Sequence, residues 1–203
     1  MVGGGGVFRG GGGGGRPGGG GGGGGGGWRL ALLVAGVVTA VRLGFVLASP
    51  IGLAADEAQY WDWSRRLDWS YYSKGPGVAF LIRLATEVLG TSEWAVRSGA
   101  VLSGLVTMLA SSALVVVCYP RLRNGALYGA LAGASAPVLH ALAMLMTIDG
   151  PFVAAWAVAA VLMVLTLRGE WWPGVGCGAR GRVALGAACG LAIGVSFLMK
   201  YTA

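Results

Sequence analysis

An all-α, polytopic transmembrane helical bundle is the fold class this sequence predicts, and three observations carry the prediction. Hydrophobic residues make up 55% and charged residues only 11%, against about 25% charged in a soluble domain. The mean hydropathy is +0.70. The charges that remain gather near the ends of long apolar runs. A formal net charge of +7 therefore reads as orientation in a bilayer, with no nucleic acid as partner, since nucleic-acid binding calls for a basic stripe. Cys118, Cys177 and Cys189 have neither CxxC nor Cys/His ligand spacing, and Cys118 and Cys189 lie in apolar runs as small hydrophobes.

Residues 1–27 are glycine-rich, broken by Val7-Phe8-Arg9 and Arg16-Pro17. Such a tract buries no core, and it lacks the preceding strand and the Lys-Ser or Lys-Thr helix of a phosphate-binding loop. It also lacks the apolar region of a secretory signal. A disordered cytosolic tail, or an upstream stretch included through the choice of start codon, is expected. Residues 28–203 then alternate spans and loops. Trp28 to Ala48, apolar apart from Arg29 and Arg42, can cross a hydrocarbon core of about 30 Å. Further spans are expected at 95–119, with Arg97 near one end, at 125–146, containing His140, at 150–167 and at 183–203. The last is still apolar where the sequence stops, so the chain reads as the N-terminal part of a longer membrane protein.

With a cytosolic N-terminus, the inner segments hold Arg9, Arg16 and Arg29, then Arg121 and Arg123, then Arg168, Arg180 and Arg182. This is the positive-inside pattern in every inner loop. The outer side receives the loop 49–94 and the turn at Thr147-Ile148-Asp149-Gly150. Every acidic residue except Glu170 falls on that outer side.

The outer loop reads as two helices. Asp56 to Leu67 sets Tyr60, Trp63 and Leu67 on one side, with the aromatic content of a membrane interface. Pro76 marks the start of a second helix. From there, Val78, Leu81, Ile82, Ala85, Val88 and Leu89 recur at helical spacing on one face. Too short to span, this helix is expected to lie along the membrane surface. Carboxylates beside a membrane are costly unless solvated, paired or used, so the run Asp56-Glu57 is a site hypothesis. Asp56 also suits an N-terminal helix position. Lys74 and Arg97 also suit cations that snorkel to headgroups, and Asp149 a helix start before Pro151. His140 reads as a hydrogen-bonded helix residue, and Lys200 as a structural or interfacial lysine.

Four motifs in order resemble a membrane glycosyltransferase of the GT-C fold, of the protein O-mannosyltransferase and aminoarabinose-transferase superfamily. They are Asp56-Glu57 followed by Tyr71-Tyr72-Ser73-Lys74-Gly75-Pro76-Gly77, then Ser92-Glu93-Trp94-Ala95-Val96-Arg97, Met146-Thr147-Ile148-Asp149-Gly150-Pro151, and Phe197-Leu198-Met199-Lys200-Tyr201-Thr202-Ala203. The resemblance covers nearly everything after the glycine tail. It implies transfer of a sugar from a polyprenyl-phosphate donor to a lipid, protein or glycan acceptor on the extracytoplasmic face, with inversion. It implies Asp56 as general base, with Glu57 sharing catalysis or standing as a solvated neighbour. It further implies Lys74 and Arg97 as contacts to the donor phosphate, and Asp149 as a contact to the acceptor or a divalent metal. Where some relatives carry an acidic residue or histidine beside the loop lysine, this chain has Ser73 and Gly75, which are poor ligands. The expected location is a bacterial inner membrane. A transporter fragment and an inactive membrane scaffold are the other readings. The first would place its charges in broken spans at the midplane, and the second would not bring Asp56, Lys74 and Asp149 together.

Overall fold

The computed structural model describes residues 24–71 and 74–201. Most of the glycine tail lies outside the described residues, as do Tyr72, Ser73, Thr202 and Ala203; Gly24–Gly27 form the start of the first helix. In chain order the helices are α1 (Gly24–Ala48), α2 (Ala55–Arg65), α3 (Gly77–Leu89), α4 (Glu93–Cys118), α5 (Gly125–Ser135), α6 (Pro137–Leu142), α7 (Asp149–Arg168) and α8 (Ala179–Met199). Of these, α1, α4, α7 and α8 are each long and apolar enough to cross a membrane. The fold is all-α, apart from a small hairpin of β1 (Glu170–Trp172) and β2 (Val175–Gly176).

Helix α4 is the hub. It packs against α1, α3, α5 and α7, and α7 in turn packs on α8. Lipid tails are as apolar as leucine, so close packing and internal hydrogen bonding hold such a bundle together. Ala31, Ala126 and Ala130 are almost fully buried and keep α1 tight on α5. Within α4, the Ser103, Thr107 and Ser112 hydroxyls donate to carbonyls one turn back, at 2.7, 2.9 and 2.9 Å. No water is needed to satisfy them. Leu32, Leu33, Val37 and Val41 of α1 stay exposed, as a lipid-facing stripe requires.

The apolar stretch expected as a continuous third span is broken into α5 and α6. Pro137 has no N–H to continue the ladder, and it drives Ala136 to φ −77°, ψ 114°. The break frees a carbonyl, that of Ala134, and the His140 ring bonds to it. Arg42 of α1 donates from Nη2 to His140 Nδ1 at 3.0 Å. A guanidinium only donates, so Nδ1 accepts and the ring proton sits on Nε2, facing Ala134. Side chains thus restore hydrogen bonding that proline removed, as membrane helices require.

The hairpin was not expected, although Pro173-Gly174 is a turn signal. Gly174 takes φ 83°, which suits the second central position of a type II turn behind proline. The helix read at Asp56 to Leu67 closes at Arg65, and Leu67 lies beyond it, exposed. On α3 the buried face is Gly77, Val78, Ala79 and Ile82, whereas Val88 and Leu89 are exposed. Tyr60, Val78, Ile82, Val96, Ala100, Met146 and Ile148 form one core cluster, which seats α2 and α3 over the end of α4.

Candidate functional site

Adjacent residues on a helix point about 100° apart, and this divides Asp56 from Glu57. Asp56 is exposed and makes no side-chain hydrogen bond among the described residues. Glu57 is 1% exposed and turned inward. Its Oε2 accepts from the Ala54 N–H at 3.0 Å, closing the start of α2. Arg97 Nη2 donates to the same oxygen at 2.8 Å, and Arg97 Nε lies 3.0 Å from Oε1. Oε1 also accepts the Met146 N–H at 2.8 Å. The guanidinium spends further donors on the Ile51 and Gly52 carbonyls, at 3.1 and 2.8 Å. Burial would raise the Glu57 carboxyl, but hydrogen bonds from Arg97 and from the Ala54 and Met146 amides outweigh it. The group is held below the ordinary carboxylate range.

These partners do not suit the roles expected for the pair. Glu57 is neither solvated nor open to a substrate. Arg97, 5% exposed, is committed to a carboxylate and two carbonyls and is not free for a donor phosphate. Together they tie the loop before α2, the first turn of α2, the start of α4 and the approach to α7.

Lys74 is set by its turn. The Tyr71 and Lys74 backbones pair with each other, at 3.1 and 2.9 Å. Tyr71 stacks on Trp63 with ring centroids 4.6 Å apart, and its hydroxyl bonds the Arg66 carbonyl and the Asp68 N–H. From this pinned turn, Lys74 Nζ donates to the buried Tyr60 hydroxyl at 2.6 Å. That hydrogen bond, with the charges of Asp56 and Asp149, raises the Lys74 ammonium above its ordinary value despite partial burial.

The turn sits on the end of α8. A Cβ on Gly75 would fall 2.1 Å from the Leu198 carbonyl oxygen, and one on Gly77 would fall 2.6 Å from Met199 Sδ. Only glycine permits this approach. It brings Lys200, just past α8, to the same face, where Lys200 Nζ lies 2.8 Å from Asp149 Oδ1 at the start of α7. Tyr201 bonds Ser70 at 3.1 Å across the same seam.

Contacts thus link Lys74 with Tyr60 and Asp149 with Lys200, and the charges of Asp56 and Asp149 both act on Lys74. Among the described residues no group of three or more His, Cys, Asp or Glu side chains could hold a metal ion. Beside these contacts, an apolar groove of about 420 Å³ runs between α3, α4, α7 and α8, lined by Leu81, Leu102, Val106, Val158, Leu191 and Met199 among others.

Comparison with known proteins bears on this arrangement. The dolichyl-phosphate-mannose-protein mannosyltransferase family matches residues 73–203. The lipid A galacturonosyltransferase RgtD of Rhizobium johnstonii is 32% identical over 146 residues, which cover 72% of this chain and 28% of that protein. The crystal structure of ArnT from Cupriavidus metallidurans in the apo state superposes with a TM-score of 0.64 at 25% identity, over 86% of this chain and 33% of that one. The same protein bound to undecaprenyl phosphate gives 0.62 at 25% identity, over 86% and 32%. The chain therefore spans about a third or less of the length of these relatives.

Proposed function

Since the chain belongs to the dolichyl-phosphate-mannose-protein mannosyltransferase family, we propose that it carries the outer-face site of a membrane glycosyltransferase. The donor is a sugar linked to polyprenyl phosphate, and the acceptor is a hydroxyl group presented on the extracytoplasmic side. Likeness to ArnT bound to undecaprenyl phosphate supports the donor class. The galacturonosyltransferase relative supports a lipid or glycan acceptor. Its bacterial relatives favour an inner membrane, and residues 28–203 form the N-terminal portion of the transmembrane domain.

The observation that carries the reading is the charge arrangement around Lys74. Its ammonium is bonded to Tyr60 and lies in the field of Asp56 and Asp149, and the glycine turn beside it reaches the helix end that bears Lys200. Asp56, exposed and unpaired among the described residues, takes the acceptor's proton. The acceptor oxygen bonds to the anomeric carbon as the bond from that carbon to the phosphate oxygen breaks, inverting the configuration. Polyprenyl phosphate leaves with the bonding pair, and Lys74 and Lys200 offset its charge where it develops. Asp149 orients Lys200 through their 2.8 Å bond. Glu57 and Arg97 position the loop. The apolar groove ending at Met199 is open to the donor's hydrocarbon chain.

The test is sugar transfer in membranes by the full-length protein and by Asp56→Asn. A fall of at least about a hundredfold at unchanged expression supports Asp56 as base. Equal transfer by both proteins makes Asp56 a helix-start residue only.

A further inference from the structure

At the end of the bundle away from Asp56 and Lys74, a cavity of about 670 Å³ opens between the end of α4, the start of α5, the first turns of α1 and the β-hairpin. Trp28 and Trp172 form one wall, with ring centroids 5.8 Å apart. Tyr119, Arg121, Arg123 and Asn124 also line it. Asn124 takes φ 62°, a left-handed turn that asparagine tolerates and that folds the arginine loop back onto α5.

Neither Arg121 nor Arg123 forms an ion pair or a side-chain hydrogen bond among the described residues, and both are exposed. Among those residues, the only acidic side chain at this end is Glu170, against Arg121, Arg123, Arg168, Arg180 and Arg182, so positive charge is in excess around the cavity. Its volume suits a ligand well beyond a bare inorganic ion. Trp28 and Tyr119 stand at the ends of spans and Trp172 in the hairpin just past α7, the depth at which lipid headgroups lie and indole rings settle. Basic pockets between membrane helices at that depth complement anionic headgroups.

We infer that this cavity binds the phosphodiester headgroup of an anionic phospholipid. Arg121 and Arg123 contact the phosphate oxygens, and the Trp28–Trp172 wall packs against the glycerol portion. The site is separate from the proposed transfer chemistry, and its readout is lipid retention rather than transfer.

The experiment is native mass spectrometry of the full-length protein, purified in detergent and doped with phosphatidylglycerol or phosphatidylcholine. The wild type retains phosphatidylglycerol selectively. Arg121→Gln/Arg123→Gln lowers that retention by roughly tenfold or more. Arg180→Gln/Arg182→Gln, an equal loss of charge outside the cavity lining, leaves it within about twofold of the wild type. Trp172→Ala keeps every charge and also lowers retention. Equal loss in the two arginine pairs means diffuse surface charge and overturns the site. So does unchanged retention in Trp172→Ala, equal retention of the two lipids by the wild type, or displacement of the lipid by inorganic phosphate in excess.

Discussion

Lys200 lies 2.8 Å from Asp149, joining the end of α8 to the start of α7 on the face that carries Asp56 and Lys74. Both side chains are about two-fifths exposed, at 37% and 41%. A pair so placed adds little to stability, at most about 1 kcal/mol. Lys200→Met is therefore expected to leave the melting temperature nearly unchanged while transfer falls by roughly a hundredfold. Parallel thermal melts and rates decide this, and a large loss of stability would make the pair structural.

Glu57 and Arg97 give the opposite expectation. Their pair is almost fully buried, with side-chain exposures of 1% and 6%, and removing one partner strands the other's charge. Arg97→Met is expected to destabilise the protein by about 3–5 kcal/mol, read from denaturant or thermal unfolding. Residual activity should track the folded fraction.

The same pair sets an acid response. The Glu57 carboxyl is held low in the folded protein, so the stability it contributes is fully present above the ordinary carboxylate value of about 4.3. It is lost as pH falls through the lower folded value. Melting temperature should drop steeply there in the wild type, and less steeply in Glu57→Gln. Parallel slopes would remove Glu57 as the source.

Lys74 responds at the other end of the scale. Its folded value is raised, so the charged ammonium persists below the ordinary lysine value of about 10.4 and is lost as pH rises through the raised one. Tyr60→Phe deletes the hydrogen bond that contributes most to this shift. The alkaline limb of the transfer rate is therefore expected to move to lower pH in that variant, as pH–rate profiles would reveal.

Gly75→Ala probes the seat of the loop. The added carbon must displace either the turn or the Leu198 carbonyl, at a cost of about 1–3 kcal/mol. Loss of transfer with α8 still inserted, judged by protease accessibility of the turn, is the expected outcome.

The spans at α1, α4, α7 and α8 were legible because an apolar run with charges at its ends has few other uses. The same run hid the break at Pro137, although the proline was in plain sight; apolar composition alone does not distinguish one helix from two. Asp56, Lys74 and Asp149 could be picked out through motifs. The partnership of Glu57 with Arg97 could not, because nothing local ties residues 40 positions apart. Tyr60 looked like an interfacial aromatic, and only the fold of the loop brings its hydroxyl to Lys74. Lys200 reads in the sequence as a structural or interfacial lysine, and only the fold shows that its helix ends beside Asp149.

The seating of the glycine turn on α8 also fixes an order of events during synthesis. Ser70 and Tyr201, which meet across that seam, are 131 residues apart, and a ribosome takes on the order of ten seconds to cover that distance. Throughout that interval the turn bearing Lys74 has emerged without the surface it rests on, and Asp149 waits for its lysine. The machinery that inserts the early helices therefore handles a half-built outer face, which the arrival of α8 completes.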